Sequence, residues 1–128
     1  MTVSYSATLK TNRMQLVADL ISNKVQAAST GTAAAGSVVI GDGTLSGATG
    51  VLVTIPLPAT AGTVSGAVFT INTTTPLTAN ASATGTASKA EIRNTGGTAI
   101  VTGLTVGTSG TDIIVNSTSI TSGQAVTM

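Results

Sequence analysis

The chain has 128 residues, the length of one ordinary domain, and only 7% of them are charged, with a net charge of +1. Soluble proteins carry roughly 25%, so no clustered basic field exists to hold a nucleic-acid backbone. The absence of His and Cys removes the commonest general base, the strongest nucleophile and the commonest metal ligands.

The opening MTVSYSATLKTNR has no apolar core of signal-peptide length, so synthesis in the cytoplasm without export is expected. Leu9, Leu16, Val17, Leu20 and Ile21 recur at helical spacings over residues 7–25, while Lys10, Asn12, Arg13, Gln15 and Asp19 occupy other faces. Ser6 or Thr8 is expected to cap the helix, and Lys24 to face the negative pole at its end. One amphipathic helix cannot bury its own stripe. Tyr5, Leu9, Arg13, Leu16, Val17, Leu20 and Ile21 are therefore the candidate interface residues.

The composition changes near residue 29, giving an expected arm and helix over 1–28 and a β-domain over 29–128, compact as a single domain. Ser29–Gly36 reads as a loop. Beyond it, β-branched runs separated by Gly, Asn, Asp and Pro predict seven strands: Ser37–Ile40, Gly50–Ile55, Val64–Asn72, Ala83–Arg93, Thr98–Leu104, Asp112–Asn116 and Gln124–Met128. Pro56 and Pro58 should end one strand at a sheet edge. Asn94-Thr95-Gly96-Gly97 predicts a hairpin, because Asn and Gly tolerate positive φ. No constant repeat holds over three units. The fold class is mainly β: an antiparallel sandwich, jelly-roll or Ig-like, after one short helix.

Chemistry is scarce. Glu91 falls between Lys89 and Arg93 on one strand face, which reads as a solvated charge row. Asp42 and Asp112 sit beside glycines and read as turn residues bonding nearby backbone N–H groups. The glycines of residues 41–50 match neither a P-loop nor a dinucleotide fingerprint, and no set of acidic residues has calcium-loop spacing. Apolar runs are too short to span a membrane as a helix. The expectation is a non-enzyme with no cofactor and no metal, and no nucleic-acid or membrane partner.

Two segments carry a resemblance: YSATLKTNRMQLVADLI (Tyr5–Ile21) and the C-terminal Ala81–Val126, with Gly85–Arg93, Val106–Asp112 and Gly123–Val126 as its marks. Together they resemble a family of small virion proteins of tailed bacteriophages. The resemblance implies a β-sandwich carried in the virion, a head decoration or minor capsid protein that is trimeric and contacts the major capsid protein. Neck, tail or fibre placement, or a cell-surface adhesin, are the alternatives.

Overall fold

The computed structural model describes residues 2–26 and 28–128; Met1 and Ala27 of the expected 1–28 segment lie outside them. One helix, α1 (Ala7–Ile21), precedes eleven strands among the described residues. Ser6 caps α1: its Oγ accepts the Leu9 N–H at 3.1 Å, so the first of the two expected caps is the one used. The helix stops at Ile21, four residues before the periodic pattern ends. Ser22 closes the last turn and Asn23 turns out of it at φ 54°. Lys24 therefore lies beyond the helix, and its backbone N–H donates to the Asp19 carbonyl at 2.8 Å.

The main sheet has five strands in the order β2-β1-β7-β8-β9: β1 (Ser37–Ser46), β2 (Thr49–Pro56), β7 (Lys89–Arg93), β8 (Ala99–Gly107) and β9 (Ile113–Ile114). β2 is an edge and ends on Pro56, as a residue with no N–H to donate requires. The β7–β8 hairpin turns at Asn94–Gly97. The Asn94 N–H donates to the Thr98 carbonyl at 3.0 Å, and Gly97 sits at φ 83°.

Three separate two-stranded ladders complete the fold. β3 (Gly62–Ser65) pairs with β4 (Val68–Ile71), β5 (Thr78–Asn80) with β11 (Ala125–Thr127), and β6 (Gly85–Thr86) with β10 (Ser119–Ile120). The expected strand Val64–Asn72 is thus a hairpin, broken where Gly66 takes φ 58°. The expected strand Ala83–Arg93 divides into β6 and β7.

Not every pair is antiparallel. β8 and β9 run parallel, with Val106 opposite Ile113, although only a short loop joins them and parallel strands normally need a crossover of a dozen or more residues. A side-chain clamp closes that loop. The N–H and Oγ1 of Thr105 donate to Asp112 Oδ2 at 2.9 and 2.8 Å, and the Asp112 N–H donates back to Thr105 Oγ1 at 3.2 Å. Asp112 is a clamp between β8 and the start of β9 rather than a residue serving its own turn.

The core cluster joins Val38 and Ile40 of β1, Leu52, Val53 and Ile55 of β2, Ile92 of β7 and Val126 of β11, all nearly or fully buried. Ile21 of the helix enters the same cluster. Leu52 is an extra residue in the β1–β2 register, since Ile40 faces Val53 while Gly41 faces Val51. Such a bulge bends its strand. The Leu52 carbonyl is taken instead by the Ser82 N–H at 2.8 Å.

The sheet curls further at the tip of β1–β2. Arg93 is in register with Ser37, yet its Nη2 donates to the Gly47 carbonyl at 2.6 Å. The tip therefore folds back over the sheet face that carries Glu91 and Arg93. Gly41 makes that bend, because a Cβ there would lie 2.5 Å from the Gly50 carbonyl and 2.7 Å from Leu45 Cδ1.

Candidate functional site

The strongest candidate site is the surface of α1, built by the geometry of a helix against a small hairpin. Side chains advance about 100° per residue around a helix, so the apolar residues of α1 form two groups rather than one stripe. Ala18 and Ile21 are buried, and Val17 packs against the core. They hold α1 against β3, β4 and β8. Leu9, Arg13, Leu16 and Leu20 lie on another sector. Leu9 is 42% exposed, Arg13 is exposed, and Leu16 and Leu20 are half-buried outside the core cluster.

The seven expected interface residues therefore separate. Tyr5, Leu9 and Arg13 stand in solvent, Leu16, Val17 and Leu20 are half-buried, and Ile21 is fully enclosed. Ile21 has no surface left to offer a partner; it anchors the helix instead. The Tyr5 ring lies under the Arg13 guanidinium, 5.3 Å from carbon to ring centroid, a cation–π contact worth about 0.5–1 kcal/mol at an exposed site.

Three further residues belong to this face. Lys10 and Met14 join Arg13 and Val17 around a shallow cleft of about 280 Å³, and Ala67 in the β3–β4 turn forms its far wall. Val68, the next residue, is 61% exposed. Lys10 was visible in the sequence only as a polar-face residue. Ala67 could have been found from Ser65-Gly66, a turn signal inside the apolar run.

Charge is unevenly distributed over the molecule. Residues 2–18 contain two cations, Lys10 and Arg13, and no carboxylate, and no charged side chain occurs between Asp42 and Lys89. The carboxylates are all engaged elsewhere. Glu91 accepts from Arg93 Nε and Nη2 at 3.1 and 2.9 Å, the one ion pair among the described residues. Asp42 Oδ1 accepts the Thr44 hydroxyl at 2.6 Å and the Thr44 N–H at 2.8 Å. These bonds stabilise the ionised form and hold the Asp42 carboxyl below its ordinary value; the Thr105 N–H and hydroxyl do the same for Asp112.

Asp19, expected on a polar face, is 1% exposed. Its Oδ1 accepts Gln15 Nε2 at 3.0 Å, and its carboxylate accepts the Ser29 hydroxyl at 2.9 and 3.2 Å. These bonds tie the segment after α1 back onto the helix. Ser29, at φ 53°, was legible only as part of a loop.

The cations on the first half of α1 gain little locally beyond the contact of Arg13 with the Tyr5 ring. Lys and Arg there oppose the positive pole of the helix dipole, and no acid sits one turn away to pair with them.

Among the described residues no group of three or more His, Cys, Asp or Glu could hold a metal, and no helix is long and apolar enough to cross a membrane. Comparison with protein-family models, with curated proteins and with solved structures finds no match to this chain.

Proposed function

We propose that the chain is a non-enzymatic structural protein of a tailed-bacteriophage virion, a capsid decoration or minor capsid protein that binds the head shell. In this reading the curled sheet and the small ladders act as the two layers of a β-sandwich, and the chain assembles as a trimer on the shell formed by the major capsid protein. The observation that carries the reading is the outer face of α1. Leu9 and Tyr5 are exposed, Leu16 and Leu20 stand outside the core, and the surrounding surface has little charge to keep other proteins away. The sequence likeness of Tyr5–Ile21 and Ala81–Val126 to small virion proteins points the same way.

Adding purified chain to heads that lack it tests the reading. Binding that saturates on the order of hundreds of copies per particle is expected for decoration. Saturation at about a dozen would place the chain at the neck or tail, where ring symmetry limits copy number. An adhesin would instead be found on the surface of uninfected cells. No binding to the particle would end the proposal.

A further inference from the structure

We propose that the chain pairs head to tail with a second copy of itself, the Lys24–Val25 knob after α1 seating on the Asp112–Ile114 edge of the sister subunit. The inference rests on the trimeric part of the virion reading and names its two surfaces. The exposed large apolar residues among those described are Val3, Tyr5, Leu9, Val25, Val68 and Ile114. Val3, Tyr5 and Leu9 belong to the arm and α1, and Val68 to the β3–β4 hairpin packed against α1. Val25 and Ile114 remain, 58% and 45% exposed, and the charges beside them have opposite signs. Lys24 precedes Val25, while Asp112 and Ile114 are both exposed with buried Ile113 between them.

Both surfaces are held ready. The Val25 N–H donates to the Thr30 carbonyl and the Ser29 N–H to the Val25 carbonyl, each at 2.9 Å. Buried Asp19 fastens the same turn, its carboxylate accepting the Ser29 hydroxyl and its carbonyl the Lys24 N–H. This bonding fixes an apolar side chain in water, and a rigid anchor loses little entropy when it binds. Opposite it, β9 is an edge of the main sheet. The Thr105 clamp holds Asp112 through Oδ2, leaving Oδ1 without a donor among the described residues.

The scarcity of charge points to the partner. Glu91 is paired with Arg93, Asp19 is enclosed, and Asp42 has the Lys89 ammonium nearby. Asp112 is left as the exposed carboxylate bonded by Thr105 alone, with no ion pair among the described residues. Lys24 has none either, while Lys10 and Arg13 lie on the α1 face given to the shell. A cation beside one apolar anchor and a carboxylate beside the other are complementary in charge and in polarity. The two patches differ and every copy carries both, so the contact is heterologous and copies joined by it close into a ring.

The test uses the full chain in sedimentation equilibrium at concentrations up to about 1 mM, with head binding and thermal unfolding measured alongside. Wild type should reach three copies. K24E, V25S and I114S change side chains outside the core cluster, so they should unfold with wild type, and each should weaken association by about tenfold. Adding D112N to K24E should restore part of that loss, because it removes the carboxylate that a glutamate at position 24 would face. Mixing K24E/V25S with D112N/I114S leaves one intact knob and one intact edge per pair, so the mixture should stop at two copies. Wild type that stays monomeric, or forms dimers that do not grow, overturns the contact; if it still binds heads, the virion reading survives. Association that K24E leaves intact and K10E/R13E abolishes would move the contact to α1 and overturn the inference as well. A trimer that K24E breaks but that binds no heads would keep the contact and end the virion reading.

Discussion

Replacing Ile21 with Ala separates the two apolar sectors of α1. Ile21 is fully buried, belongs to the core cluster, and lies against Gly36, where even a Cβ would come within 3.1 Å of its Cγ2. With the backbone around it that tight, the site has little freedom to collapse onto a smaller side chain. An Ile-to-Ala change in such a core costs about 2–5 kcal/mol, a large share of the roughly 5–15 kcal/mol that holds a small domain together. In urea, where unfolding slopes are about 1–3 kcal/mol per molar, the midpoint should fall by roughly 1–3 M. Leu9→Ala, made on a residue 42% exposed, should stay within about 0.5 kcal/mol of wild type. Urea titration followed by circular dichroism reads both. Equal losses in the two variants, or an Ile21→Ala midpoint close to wild type, would refute the division of α1 into an anchored and an outward sector.

Asp19→Ala leaves the Ser29 hydroxyl and Gln15 amide without their buried acceptor, so it should cost about 1–3 kcal/mol, and Asp19→Asn, which keeps one acceptor oxygen, should cost less; thermal unfolding distinguishes them. Asp42 and Asp112 have folded pKa values below their ordinary range, so the stability they contribute is present above the unfolded value near 4 and is lost as pH falls through the folded one. Acid titration of D42N/D112N should therefore show a shallower loss of stability below about pH 4 than wild type, and an unchanged slope would contradict the two Thr clamps. Gly41→Ala places a Cβ against the Gly50 carbonyl and Leu45 and should destabilise by about 1–3 kcal/mol. Gly43→Ala, whose nearest atom would be Ser88 Oγ at 3.9 Å, should be near neutral.

The parts of the fold legible in the sequence are those set by local chemistry. The Ser6 cap, the edge strand ending at Pro56 and the Asn94–Gly97 hairpin each depend on residues that leave the backbone few alternatives. Long-range closure was not legible. β5 and β10 are two or three residues long and exist because β11 and β6 lie beside them, so neither has a periodicity of its own. The parallel β8–β9 pair and the fold-back at Gly41 depend on Asp112 and Arg93 reaching partners that spacing does not reveal.

The candidate site was legible in outline and blurred in register. Helical periodicity singles out apolar positions but does not tell which sector meets the core, so Ile21 and Leu9 look alike in sequence. Burial separates them. Asp19 looked like a surface residue because its acceptor role is filled by Ser29, ten positions later. Lys10 and Arg13 take no part in the one ion pair among the described residues, which joins Arg93 to Glu91, and sequence spacing does not reveal that choice of partner.

The measurement that bears most directly on the proposed role is a reconstruction of the virion resolved well enough to trace this chain. The expected result is many symmetry-related copies on the head, with Tyr5 and the Leu9 and Arg13 face of α1 turned toward the shell. Particles that lack the chain, or copies whose α1 face lies open to solvent while the sheet makes the contact, would contradict it.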